Sequence, residues 1–203
     1  MAAPIFYLLA GPNGAGKSTL YHALVENGTL SASLEFVNAD LYEAAHLQQV
    51  ADPQERSEQA RAWADARRAE CIAQRRSFVS ETVFSHASKL QLVADARAAG
   101  FYVLLLVVGL DDTRQLVQRV SRRVKEGGHA VPRERILERY PRSLAHLAIA
   151  VRQADAALLY DSYAVERGTH RLVARCKADA TDVRVQPLPE WARQVVFPSE
   201  FPQ

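Results

Sequence analysis

Residues 5–19 read IFYLLAGPNGAGKST. An apolar run breaks into a loop of glycines and small residues, and a lysine with two hydroxyls follows at once. The run has strand composition, and Lys17 to Leu20 opens an amphipathic stretch, so the segment reads as strand, bare loop, helix. Gly11, Gly16, Lys17 and Ser18 fill the fixed positions of the pattern G-x-x-x-x-G-K-[ST]. Each residue type has a physical reason. Glycine accepts positive φ and lets backbone lie against an anion. Successive N–H groups at the start of a helix then face that anion along the helix dipole. Gly11, Pro12, Asn13, Gly14, Ala15, Gly16, Lys17, Ser18 and Thr19 are therefore the expected cradle for the phosphates of ATP. Lys17 reaches the terminal phosphates, and the Ser18 hydroxyl ligates Mg²⁺.

Outward from the loop, short apolar runs alternate with longer amphipathic segments. Strands are expected at 5–10, 35–38, 78–80, 102–108 and 156–160. Two weaker strand signals lie near 171–176 and 183–188. Helices are expected at 17–26, roughly 41–46, 53–75, 86–99, 113–126 and 132–153. Strands alternating with helices predict a parallel sheet covered on both faces. The near-continuous apolar run YVLLLVV, residues 102–108, suits a strand buried on both sides. The expected architecture is α/β: a three-layer α/β/α sandwich with a mainly parallel five-stranded sheet. One domain is expected over residues 1–203, with a helical, arginine-rich lid at about 119–142 and, from about 187, a proline-rich tail irregular around one short helix.

Composition narrows the class. The chain has 203 residues and a formal net charge of +2, with 25 basic against 23 acidic side chains, so charge alone implies no nucleic-acid partner. The longest apolar run, FYVLLLVVGL, is well short of the roughly 18 residues of a membrane span, and no basic region precedes the N-terminal apolar stretch. Cys71 and Cys176 form neither a metal spacing nor a disulfide framework and read as free thiols of a cytoplasmic protein.

Three further stretches carry chemistry. In FVNAD, residues 36–40, a short strand delivers Asp40 to the carboxyl edge of the sheet, where open α/β folds bind ligands. A carboxylate there accepts a proton from an attacking hydroxyl; the structural alternative is a helix cap. In FVSETVFS, residues 78–85, Glu81 and Thr82 end a strand at the same edge, placed for substrate hydroxyls or for Mg²⁺ through water. The segment 119–143 holds eight arginine and lysine side chains, among them Arg119, Arg123 and Arg139, around Gly127-Gly128. Two basic arms about a glycine hinge suit a lid that closes on phosphoryl oxygens. Asp111-Asp112-Thr113 reads as a helix cap and not as a water-positioning pair.

GPNGAGKST, FVNAD, SETVFS and RV-x-x-RV-x-x-GGH-x-VP followed by ILERY together resemble the zeta-toxin family of P-loop kinases. The resemblance covers residues 5 to about 163. It implies transfer of the γ-phosphate of ATP to the 3′-hydroxyl of the aminosugar in UDP-N-acetylglucosamine, and neutralisation by a small antitoxin protein. It implies Lys17 and Ser18 on phosphate and Mg²⁺, Asp40 as general base, and Glu81 and Thr82 on the substrate. Arg119, Arg123 and Arg139 would clamp phosphates, and His129 would touch substrate or phosphate at the lid tip. Residues 41–60 contain no recognisable uridine reader, so NAD or a nucleoside stays open as acceptor. So does a regulatory ATPase with no small-molecule acceptor.

Overall fold

The structure is a computed structural model that describes residues 2–128, 130–163, 170–178 and 180–200. Seven strands, β1 (Ile5–Ala10), β2 (Glu35–Val37), β3 (Phe78–Thr82), β4 (Tyr102–Gly109), β5 (Ala156–Asp161), β6 (Arg171–Lys177) and β7 (Ala180–Val183), form one sheet in the order β2-β3-β1-β4-β5-β6-β7. The first five run parallel, and β6 and β7 are antiparallel additions at one edge. The helices are α1 (Lys17–Glu26), α2 (Ala39–His46), α3 (Pro53–Ala73), α4 (Ser88–Ala98), α5 (Thr113–Lys125), α6 (Arg133–Gln153) and α7 (Glu190–Val196).

The parallel elements lie where the alternating pattern put them, but the sheet has seven strands where five were expected. The extra pair is weakly marked because the apolar stretch of RLVARCK is short and interrupted by charge, with Arg171, Arg175 and Lys177 exposed and Val173, Ala174 and Cys176 buried. The last strand is Ala180–Val183 and not 183–188. Beyond it, Val185 and Leu188 turn inward and pack in the core.

Two apolar layers sandwich the sheet. On one face Leu9, Val79, Leu106 and Val108 pack against Leu20 and Leu24 of α1 and Leu116 and Val120 of α5. On the other, Phe6, Leu8, Phe78 and Leu105 pack against α3, α4, α6 and α7. The chain past residue 187 includes the expected short helix, α7. Trp191 of α7 is 1% exposed, and its Nε1 donates to Asp161 at 3.0 Å. The Asp111 carboxylate caps α7, accepting from the amides of Glu190 (3.1 Å) and Trp191 (2.7 Å). Asp112 caps α5 through the Arg114 amide at 2.9 Å. Both acids after β4 are thus spent on helix starts.

Glu35, at the start of β2, accepts from Arg67 and Arg76, and the Arg67 hydrogen bond holds its carboxyl below the usual range against the opposing effect of burial. A depressed folded pKa means stability that is present above the unfolded value of about 4.3 and is lost as pH falls through the folded one. Urea midpoints measured from pH 7 downward are expected to fall below about pH 4.3, and to fall less steeply in Glu35→Gln, which starts lower at pH 7.

Candidate phosphoryl-transfer site

The register of the sheet gathers the site. Ala10, the last residue of β1, lies beside Thr82 on one side and Val107 on the other, and Val37 lies beside Ser80. The loops that leave β1, β2 and β3 therefore emerge together, and Glu81 is set between the cradle and the turn into α2.

Gly11 sits where a Cβ would meet the Val108 carbonyl oxygen at 2.0 Å. Gly14, at φ +79°, sits where one would meet the Leu116 carbonyl oxygen at 2.4 Å. No side chain fits at either place, so the loop is bare by steric necessity. Lys17 is 6% exposed and donates to the Pro12 carbonyl at 3.2 Å, which curls the ammonium back over the loop. Ala15 is buried, and the Asn13 side-chain oxygen is buried without a hydrogen-bond partner among the described residues. Ser18 and Thr19 are exposed at the start of α1.

Glu81 is the hub. Its carboxylate faces Lys17 Nζ at 3.6 Å, accepts the Ser18 hydroxyl at 2.9 Å and accepts the Asn38 amide at 2.9 Å. A hydroxyl, a carboxylate and an ammonium meet at one point, which is the donor set that a metal-bound phosphate requires. Among the described residues no cluster of three or more His, Cys, Asp or Glu forms a separate metal site.

Asp40 is the second residue of α2 and its side chain is exposed. Thr82 is woven into the loop. Its carbonyl accepts the Gly11 amide at 3.3 Å, and its hydroxyl oxygen accepts the Phe84 amide at 3.2 Å. Phe84 is fully buried at φ +62°, a conformation costly for a bulky residue, and its carbonyl accepts His146 Nδ1 at 3.2 Å. The carbonyl can only accept, so Nδ1 of His146 is the donor in this contact.

The candidate lid arginines have distinct local surroundings. Arg119 is tied to the end of β5, donating to the Ser162 hydroxyl at 3.1 Å and the Ser162 carbonyl at 2.9 Å. The carbonyl of Arg123 accepts the Gly128 amide at 2.8 Å, fixing the turn after α5. Arg139 is half-buried, and burial together with Arg135, Arg142 and Arg61 pushes its guanidinium below the ordinary value. Ile136 and Tyr140 are anchored, Ile136 in the core and Tyr140 by donating to the Leu110 carbonyl at 2.9 Å. No described residue from 121 to 135 is buried, so this stretch is the part of the expected lid that is loosely packed. His129 lies outside the described residues.

Sequence reasoning passed over Asn38, Arg61, Ser162 and His170. His170 donates from Nε2 to the Gly16 carbonyl at 3.1 Å, and burial holds its pKa down. Only Asn38 carried a signal, as the residue next but one before a candidate base at a helix start.

A cradle after the first strand, beside the ends of two neighbouring parallel strands, defines a nucleotide-binding P-loop protein of the kinase-type fold. Residues 1–182 match the Zeta toxin family, and the chain belongs to that family. Solved structures share the fold at low identity. A chain from the PezAT chromosomal toxin-antitoxin system of Streptococcus pneumoniae is 16% identical with a TM-score of 0.60, over 84% of this chain and 71% of that one. A chain of the AvrRxo1-ORF1:ORF2 complex with ATP is 17% identical with a TM-score of 0.69, over 90% of this chain and 61% of that one. A chain of the Pnkp1/Rnl/Hen1 RNA repair complex is 17% identical with a TM-score of 0.57, over 72% and 46%. This chain thus spans about three fifths of the AvrRxo1 chain and less than half of the RNA repair chain. No curated protein matches it. Among the described residues no helix is long and apolar enough to cross a membrane.

Proposed function

We propose that this protein is a phosphotransferase that moves the γ-phosphoryl group of ATP to a hydroxyl of a nucleotide sugar, with UDP-N-acetylglucosamine as the first candidate, and that it acts in the cytoplasm as the toxin of a toxin–antitoxin pair. The observation that carries this reading is the bridge from Ser18 through Glu81 to Asn38, which ties the start of α2, the helix that bears Asp40, to the edge of the phosphate cradle. Residues 1–203 form one catalytic domain in this reading.

Lys17 binds and polarises the terminal phosphates from within the loop. Ser18 would ligate Mg²⁺ and Glu81 would hold it through water; the ion when bound neutralises charge on the phosphates. Asp40 accepts the proton of the acceptor hydroxyl at a carboxylate oxygen as that hydroxyl attacks. Thr82 keeps a hydroxyl proton to donate to the acceptor. Arg123, Arg139 and the loosely packed 121–135 segment close over the phosphates, exclude water and suppress hydrolysis of ATP. Arg119, through its hold on Ser162, fixes the base of that segment to the sheet.

The test is incubation with ATP, Mg²⁺ and, separately, UDP-N-acetylglucosamine, other UDP-sugars, NAD and nucleosides, with each acceptor weighed afterwards. UDP-N-acetylglucosamine is expected to gain one phosphoryl group. A gain on NAD or a nucleoside instead replaces the acceptor, and consumption of ATP with no acceptor modified overturns the transferase reading in favour of a regulatory ATPase.

A further inference from the structure

The Asn38 side chain is 5% exposed and both its polar ends are engaged. An amide N–H can only donate, so the atom 3.2 Å from the Leu41 nitrogen is the side-chain oxygen. A carboxylate can only accept, so the atom 2.9 Å from Glu81 Oε2 is the side-chain nitrogen. The two partners fix the amide's orientation between them. One end caps α2, whose second residue is Asp40. The other grips the carboxylate that faces Lys17 and takes the Ser18 hydroxyl.

Capping alone does not call for asparagine. Serine and aspartate cap helices as well. Aspartate here would set a second carboxylate against Glu81, and serine is too short to reach it. What asparagine adds is the donor.

We propose that Asn38 is a positioning residue that ties the first turn of α2, and with it Asp40, to the carboxylate at the phosphate cradle. The inference rests on the assignment of Asp40 above. Nucleotide binding engages Lys17 and Ser18, both of which Glu81 holds in the free protein. Among the described residues the Asn38 amide is the remaining side-chain donor to Glu81, so rearrangement at the cradle is passed to α2 through this bond. Asp40 is thereby held in place when a phosphoryl group is there to be transferred.

The full chain is compared with Asn38→Ser, which keeps the cap and loses the donor, and with Asn38→Asp, which keeps the cap and repels Glu81. Hydrogen exchange of a peptide covering residues 38–46 is followed with and without saturating Mg²⁺ and a non-hydrolysable ATP analogue, and melting temperatures confirm that each variant is folded. In the wild type the analogue is expected to slow exchange at the start of α2. In both variants the analogue still binds but the slowing is lost. Where an acceptor is phosphorylated, kcat is expected to fall about 10–100-fold, the scale of a small misplacement of a reacting group, with KM for ATP unchanged. The same substitutions in an Asp40→Asn background are expected to cause no further fall. Slowing that persists in Asn38→Ser overturns the link, and so does an equal fall in kcat in both backgrounds. If no acceptor is found, or Asp40→Asn stays fully active, the assignment of Asp40 fails, while the exchange result still judges whether Asn38 couples cradle to helix.

Discussion

Asp40→Asn is expected to lower the rate of phosphoryl transfer by about 10²–10⁴-fold, the usual worth of a positioned general base, with the affinity for ATP little changed. The substitution keeps size and shape and removes only the basic oxygen. Asp40 is exposed in the first turn of α2, with Asn38 as the cap of that helix, so its loss takes away no buried contact and no helix cap. A carboxylate near a helix N-terminus does add a small favourable interaction with the helix dipole, worth typically 0.3–1 kcal/mol. That loss lowers the melting temperature slightly and does not reach the rate. The measurement is kcat for the acceptor identified by mass, beside a direct titration of ATP binding. A pure base gives a large fall in kcat with binding intact. A fall in ATP binding instead would mean that Asp40 belongs to the nucleotide side of the site. Full activity would leave Asp40 as a solvent-facing helix residue, and the transfer chemistry would need another carboxylate.

The expectation can be made this sharp because most of the candidate site is built from residues that stand in recognisable sequence patterns. The cradle is a local motif: its glycines, lysine and serine are adjacent in the chain, and local chemistry dictates their conformation. The parallel strands were legible for a related reason, since strands buried on both faces are written as unbroken apolar runs, as in β4. Glu81 shows where legibility stops. Its place at the end of β3 was readable, but not that its carboxylate turns to Ser18 and Lys17, because that depends on β3 lying beside β1. Asn38 has the same character: the sequence offered Asp40 as the alternative cap of α2, whereas the cap is Asn38, and its second partner 43 positions away is unmarked. The basic segment shows the same limit: its run of arginines is readable, but the hold of Arg119 on Ser162 after β5 and of nearby Tyr140 on the loop after β4 is made by packing and unmarked by any spacing. Strands β6 and β7 were faint because an edge hairpin needs few apolar residues.

Glu81 also shapes the second large effect. Lys17→Ala is expected to weaken ATP binding about 10–100-fold, the loss of one charge-assisted contact to phosphate. It is expected to cut transfer further, by about 10²–10³-fold, because charge on the phosphoryl oxygens is greatest in the transition state. The buried setting makes the loss larger than that of a surface lysine. With the ammonium gone, the Glu81 carboxylate stays at the mouth of the cradle without its cation and repels the incoming triphosphate. Lys17→Arg is no remedy, because a planar guanidinium is too wide for a side chain that is 6% exposed and folded onto the Pro12 carbonyl. The repulsion has a signature of its own. Adding Glu81→Gln to Lys17→Ala removes the stranded charge and is expected to restore part of the ATP affinity, while transfer stays low because nothing replaces the ammonium. Titration of ATP binding to the single and double variants separates the two contributions. If the double variant binds no better than Lys17→Ala, Glu81 acts on the nucleotide through Ser18 and Asn38 alone. If Lys17→Ala binds ATP as the wild type does, the loop between β1 and α1 is a tight turn and not a cradle.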